Sequence, residues 1–336
     1  MRTMDTLALA RELIRIPSPS GEEGPIVDCL ARLLSDAGWQ VIRQPVSPGR
    51  DNLYATLGPP QVVLSTHLDV VPPTLAFSED EEWLHGRGSC DAKGIAAAMV
   101  SAAEHLREAG ERRVGLLLVV GEEDGSDGAA AASALEPRGR WLINGEPTEN
   151  RLVIGHKGAL RVALRAEGVA AHSGYPEEGR SAIDLLLLAL ERIRALPLGE
   201  DALLGTGSLN IGTVMGGVAT NVFAPSARAE LLIRTVGPAE PLQAAIVAAM
   251  PPHVSVTFPL VIPPFRSRPV TGWETSTVSY TTDLPLLSTW GEGFLLGPGS
   301  IRLAHTDRER VRKSDLVAGR DSYVRLITQL LRNSTP

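Results

Sequence analysis

Gln61-Val62-Val63-Leu64-Ser65 is an apolar run that stops abruptly at Thr66-His67-Leu68-Asp69. A short run of this kind reads as a strand buried on both faces, and its polar end as a site delivered to a sheet's rim. The pattern recurs twice. Val114 to Val120 ends at Gly121-Glu122-Glu123-Asp124, and Trp141 to Asn144 ends at Gly145-Glu146-Pro147. Between them the Ala-rich stretch Gly94 to Ala109 predicts a helix. Upstream, Thr6 to Ile14 and Pro25 to Ala37 have helical apolar spacing, with Ser20 and Glu23 as a capping box, and Gln40 to Arg43 and Asn52 to Leu57 predict strands. Strands alternating with helices specify an α/β layer with a mostly parallel mixed sheet.

The pattern changes near Gly158. Strands over Ala159 to Ala166, Ser208 to Val214, Val222 to Val236 and Val254 to Val261 are interleaved with helices over Ser181 to Leu196 and Glu240 to Met250. The order β-α-β-β-α-β is that of a ferredoxin-like α+β domain. Helix and strand of the first kind then resume to Leu331, so the reading is an insertion: 158–265 within a catalytic domain formed by 1–157 and 266–336.

The 336 residues carry 32 Lys and Arg against 39 Asp and Glu, a net charge of −7, with 4% aromatics. An acidic chain of this kind is a poor partner for nucleic acid or an anionic membrane, both of which need clustered positive charge. Two cysteines, Cys29 and Cys90, exclude a disulfide framework and a four-thiolate metal site, so any metal must use His, Asp and Glu. The longest apolar run is too short to span a bilayer, and the N-terminal residues lack a signal peptide's apolar core. The expectation is a cytoplasmic protein, in which the sequon Asn333-Ser334-Thr335 is a chance match.

Five places at strand ends or turns could meet at one rim: His67 with Asp69, Asp91, Glu122 with Glu123, Glu146, and His305. Zinc accepts imidazole nitrogen and carboxylate oxygen, and two zinc ions about 3.5–4 Å apart can share a carboxylate and a water. One bridging Asp plus a His and a carboxylate for each ion is the count that His67, Asp91, Glu123, Glu146 and His305 supply. Asp69, two residues after His67 on an extended chain, could take the other imidazole N–H and fix its tautomer. Glu122, facing away from Glu123 on a strand end, would be free to act as general base.

Ser65-Thr66-His67-Leu68-Asp69-Val70-Val71-Pro72, Gly86-Arg87-Gly88-Ser89-Cys90-Asp91-Ala92-Lys93-Gly94, Gly121-Glu122-Glu123, Gly145-Glu146-Pro147-Thr148 and Gly297-Pro298-Gly299-Ser300 with Ala304-His305-Thr306-Asp307-Arg308-Glu309 follow one another along the chain. In this order they resemble the motifs of the co-catalytic di-zinc amidohydrolases and metallopeptidases, the family of acetylornithine deacetylase, succinyl-diaminopimelate desuccinylase and aminoacylase.

The resemblance implies a zinc-peptidase-like catalytic domain with an inserted dimerisation or lid domain, and two Zn²⁺ for which Co²⁺ or Mn²⁺ could substitute. One ion would take His67, Asp91 and Glu146, the other Asp91, Glu123 and His305. Glu122 would be the base, with Asp69 behind His67. His172, in Ala171-His172-Ser173-Gly174, matches the family's lid histidine, which donates to the oxyanion, often across a homodimer interface. Asn221 and Arg234 match positions that hold the substrate's carboxylate end. Asp283 is read as supporting structure and Cys90 as packed and unreactive. The residue two before Arg234 is acidic or an amide in the family and is Leu232 here.

The implied activity is hydrolysis of an N-acyl amino acid, acetylornithine deacetylase-like and so in amino-acid biosynthesis. The alternatives are a desuccinylase, a carrier-protein-linked lysine hydrolase, a dipeptidase or carboxypeptidase, or a catalytically inactive binding relative. A serine hydrolase lacks its Gly-x-Ser-x-Gly elbow.

Overall fold

The computed structural model describes residues 5–332, so the sequon lies outside the described residues. The elements run α1 (Thr6–Arg15), α2 (Gly24–Asp36), β1 (Gln40–Ser47), β2 (Arg50–Thr56), β3 (Val62–His67), α3 (Lys93–Glu108), β4 (Val114–Val119), β5 (Trp141–Asn144) and β6 (Leu152–His156). They continue with β7 (Ala159–Glu167), α4 (Ala182–Arg194), β8 (Ser208–Gly216), β9 (Ser226–Arg234), α5 (Glu240–Ala249) and β10 (Val254–Ile262), and close with β11 (Glu292–Leu295) and α6 (Lys313–Arg332). Two compact units share the chain: Met1–Ile154, Ser267–Ser276 and Thr282–Pro336 form the first, Gly155–Arg266 and Thr277–Thr281 the second.

In the first unit the strands stand in the order β1-β2-β4-β3-β5-β11-β6. The centre is parallel: β3 pairs in parallel with β4 and β5, and β11 with β5. The flanking β1–β2, β2–β4 and β11–β6 pairs are antiparallel. Strands β3, β4 and β5 are buried at every position, as a sheet covered on both faces requires. The Ala-rich α3 is buried from Lys93 through Glu104, which a helix apolar all round needs, and it packs against α1 and α6. Asp5 caps α1 by accepting the Leu7 N–H at 3.0 Å.

The expected capping box at Ser20 and Glu23 does not form. Glu23 makes no side-chain cap bond to α2. Its carboxylate binds the Arg50 guanidinium instead, and the Ser20 hydroxyl donates to Asp69. Buried long-range ionic partners outcompete the local cap.

The second unit is an antiparallel sheet in the order β8-β9-β7-β10, with α4 and α5 packed on it. That is the strand order of a ferredoxin-like β-α-β-β-α-β unit. Leu160, Val162, Leu164 and Ala166 of β7 and Ala227, Ala229, Leu231 and Ile233 of β9 face a core shared with Leu186, Ala189, Leu190 and Ile193 of α4. The helical period divides the Leu185–Leu188 run: Leu186 is buried, whereas Leu187 and Leu188 are exposed.

Candidate metal centre

Three parallel strands end at the same rim. His67 is the last residue of β3, Glu122 and Glu123 follow β4, and Glu146 follows β5. Asp91 precedes α3, and His305 lies in the segment between β11 and α6 with a left-handed φ of 61°.

The Asp91 carboxylate stands between the two imidazoles. Its Oδ1 lies 3.0 Å from His67 Nε2 and its Oδ2 3.4 Å from His305 Nε2. On the His67 side, Glu146 Oε1 stands 3.9 Å from the same nitrogen. On the other, Glu123 Oε1 lies 2.8 Å from His305 Nε2. Donor atoms of His67, Asp91 and Glu123 all fall within 4.8 Å of one another. The buried Glu146 Oε1 has no hydrogen-bond partner among the described residues. A buried carboxylate oxygen without a donor, facing an imidazole, fits a cation.

The electrostatics fit cations as well. Burial pushes the Glu146 carboxyl well above its ordinary range, and the Asp91 charge adds to it. Burial and the Asp283 charge do the same to Glu122. Burial opposes the His67 imidazolium, yet bonds to Asp69 and Asp91 outweigh it and raise the pKa well above normal. His305 is pushed up to about 10 by Asp91 and Glu123. Asp91 itself is held low, because the two imidazoles outweigh its burial.

Two expectations about the neighbours of these residues are corrected. Glu122 and Glu123 are not consecutive on a strand end. β4 ends at Val119, and past Gly121 the chain bends into a 3-10 turn, Glu122–Asp124. This turn, rather than strand alternation, separates the two side chains: Glu123 reaches His305, while Glu122 sits near Asp283. Asp69 is also not chiefly the acceptor for His67. The His67 Nδ1 is nearest to the Asp69 backbone carbonyl, at 3.0 Å, and 3.4 Å from its carboxylate. The carboxylate accepts the N–H groups of Glu122 and Glu123, each at 3.1 Å, and the Ser20 hydroxyl at 2.7 Å. Asp69 therefore clamps the glutamate turn as well as backing the histidine.

Asp283 is buried, with its pKa pushed up to about 6 by desolvation. Cys90 is buried and its thiol, desolvated and near Asp91, is raised well above the usual range, so the thiolate is suppressed. Sequence reading passed over Glu309 and Arg87, which prove to be buried and paired at 2.6 Å.

His172, Asn221 and Arg234 lie in the second unit. His172 bridges Val222 and accepts the Gly174 N–H on Nδ1 at 3.1 Å, and the Ser173 N–H donates to the Asn221 carbonyl at 2.9 Å. These two residues therefore occupy adjoining loops. Arg234, the last residue of β9, donates to Thr281 Oγ1 at 2.8 Å.

A parallel-centred α/β sheet whose strand ends gather histidines and carboxylates defines a metallohydrolase architecture. The chain belongs to peptidase family M20/M25/M40, whose model matches residues 63–329. It is 39% identical over 339 residues to a Peptidase M20 domain-containing protein of Schizosaccharomyces pombe, covering 97% of this chain and 85% of that protein. It is 35% identical over 375 residues to a probable carboxypeptidase of Aspergillus clavatus, covering 98% and 83%.

Among solved structures, a tripeptidase of Staphylococcus aureus superposes with a TM-score of 0.81 at 22% identity, covering 98% of this chain and 99% of that one. A Bacillus subtilis protein described as a dinuclear metal binding peptidase of the M20 family superposes with a TM-score of 0.71 at 14% identity, covering 97% and 98%. The chain is thus a hydrolase of a metallopeptidase family, and the family includes proteins with two metal ions. Among the described residues, no helix is long and apolar enough to cross a membrane.

Proposed function

We propose that the chain is a two-metal hydrolase of linear amides, cleaving a short peptide or an N-acyl amino acid. The observation that carries this reading is the Asp91 carboxylate with one oxygen toward each imidazole, and with Glu146 and Glu123 completing the two sides. His67, Asp91 and Glu146 would hold one ion, and Asp91, Glu123 and His305 the other. The ions are two Zn²⁺, with Co²⁺ and Mn²⁺ as chemical substitutes. When bound, they supply an acidified water and a Lewis acid for the amide carbonyl.

Glu122 is the general base. Its half-buried carboxylate takes a proton from the attacking water and returns it to the leaving nitrogen, so that amide and water become carboxylic acid and amine. Asp69 holds the Glu122 backbone in place for this transfer. His172 is assigned to the developing oxyanion, and Asn221 and Arg234 to the substrate's carboxylate, for which a guanidinium fork is suited.

The acetylornithine deacetylase-like reading suggested by the motifs competes with a peptidase reading. The carboxypeptidase and tripeptidase names among the relatives favour short peptides. A homodimer through the second unit is supported by edge strand β8, which exposes Val214 and Met215, and by Leu187 and Leu188 of α4. Two buried free cysteines accord with a cytoplasmic location.

The test is a metal-loaded protein assayed side by side on N-acetyl-ornithine, N-succinyl-diaminopimelate and simple di- and tripeptides, with elemental analysis of the same sample. About two metal ions per chain and turnover of at least one substrate are expected of a co-catalytic site. A chain holding two ions and hydrolysing none would instead be an inactive binding relative. Light scattering that gives a monomer at micromolar concentration would overturn the dimer.

A further inference from the structure

The segment between β11 and α6 that brings His305 to the centre turns inward four residues further on and buries a second group, Glu309. Its side chain is fully enclosed. Oε1 accepts the backbone N–H groups of Gly88, Cys90 and Asp91 at 2.9, 3.1 and 3.1 Å, and Oε2 accepts the Arg87 guanidinium at 2.6 Å. Three N–H groups of one short loop converge on a single oxygen, as in an anion nest of the kind that usually cradles a phosphate, while the Ser89 N–H between them turns back to the Gly86 carbonyl at 3.0 Å. Here the anion comes from the chain itself. The nest requires Gly88, whose φ is +84° and whose added Cβ would stand 2.7 Å from the Lys93 side chain.

Asp91 is consequently gripped at both ends by one short stretch of chain. His305 faces its carboxylate, and Glu309, four residues on, holds its backbone N–H. We propose that Glu309 is a positioning residue for the metal centre: it aims the Asp91 carboxylate before any ion binds, and ties the His305 segment to the Asp91 loop so that the ligands of both ions are set together. The inference rests on the two-metal reading above. Burial of a carboxylate is costly unless its lone pairs are filled, and here every partner but Arg87 is a backbone group of the loop that carries Asp91. A role in general packing would not require that concentration.

Glu309→Gln tests it, because an amide cannot accept on both sides. With its oxygen toward the nest its NH₂ opposes Arg87, and the reverse orientation opposes the N–H groups. The metal-free wild type and E309Q are titrated calorimetrically with Co²⁺, and the visible absorption of the Co²⁺ forms is compared. E309Q is expected to bind Co²⁺ about 10–100-fold more weakly, with an altered ligand-field band, as loss of an outer-shell partner does. Its far-UV circular dichroism should be retained.

Equal affinity and an identical band in E309Q would overturn the role of Glu309 alone. A wild type that takes up no Co²⁺ would overturn the two-metal reading itself. If E309Q does not fold, amide hydrogen exchange on the metal-free wild type decides. The N–H groups of Gly88, Cys90 and Asp91 should be strongly protected without metal, and rapid exchange there would refute preorganisation by Glu309.

Discussion

Replacing Asp69 by Asn separates its two roles and has a magnitude that follows from its bonds. Oδ1 accepts the Glu122 N–H, while Oδ2 accepts the Glu123 N–H and the Ser20 hydroxyl. An amide offers one oxygen where the carboxylate offers two, so in either orientation an NH₂ group opposes a backbone N–H of the glutamate turn. One charge-assisted bond is lost, at about 1.5–3 kcal/mol, and the other becomes neutral, at about 1 kcal/mol. A total near 2–4 kcal/mol, for a unit of this size, lowers the thermal midpoint by roughly 5–15 °C.

Ser20→Ala provides the internal scale, since it removes one hydroxyl donor, leaves both N–H bonds intact and should cost about 1 kcal/mol. Denaturant unfolding of both variants measures the difference. Turnover of a peptide substrate then reads the position of Glu122, for which a displacement near 1 Å can cost about a hundredfold. The loss should also change the acid response. The Asp69 pKa is held below its ordinary value because bonds from His67, Ser20 and the glutamate turn outweigh burial. Its stabilisation is therefore complete above the unfolded carboxylate pKa of about 3.9 and is lost as the pH falls through the lower folded value. D69N should lack that component. A D69N protein as stable as S20A, with unchanged turnover, would refute the clamp.

Four further outcomes are expected. Glu122→Gln should retain both metal ions by elemental analysis yet lose about 10²–10⁴ in turnover, the contribution of a positioned base. Zn²⁺ uptake by the metal-free chain at pH 7 should release protons, read by calorimetry in two buffers of different ionisation enthalpy, because His67, His305 and Glu146 all have raised pKa values. The His305 share of metal-free stability is complete below the ordinary histidine pKa near 6.5 and fades as the pH rises through about 10, so the metal-free protein should weaken on the alkaline side. Finally, Gly94→Ala would place a Cβ 2.2 Å from the Ser89 carbonyl oxygen, against backbone that cannot yield cheaply. It should cost about 1–3 kcal/mol or more in chemical denaturation, whereas Gly58→Ala, with nothing within 4 Å, should be near neutral.

The residues legible from the sequence are those whose surroundings are also local in sequence. Val62 to Leu64 and Leu116 to Leu118 announce strands because a sheet covered on both faces leaves no polar position to confuse the period. His67, Glu122, Glu123 and Glu146 stand out because each interrupts such a run at its end. Glu309 carries no comparable signal. It stands at the end of the motif that carries His305, among Asp307, Arg308 and Arg310, with no apolar run to set it off, and only the approach of the Gly88–Asp91 loop gives its charge a purpose.

Ser20 and Glu23 fail the other way: their spacing satisfies a capping rule, but Asp69, just past the end of β3, and Arg50, at the start of β2, claim the two side chains. The division between Glu122 and Glu123 shows why the distinction matters for chemistry. Two adjacent carboxylates are identical in sequence terms, and strand alternation would have parted them by direction alone. The 3-10 turn parts them by partner: burial raises the proton affinity of both, but the His305 bond offsets part of that rise in Glu123, whereas the Asp283 charge adds to it in Glu122. A ligand needs the first setting and a base needs the second, and the Asp69 carboxylate that holds both backbone N–H groups is what keeps the two settings apart.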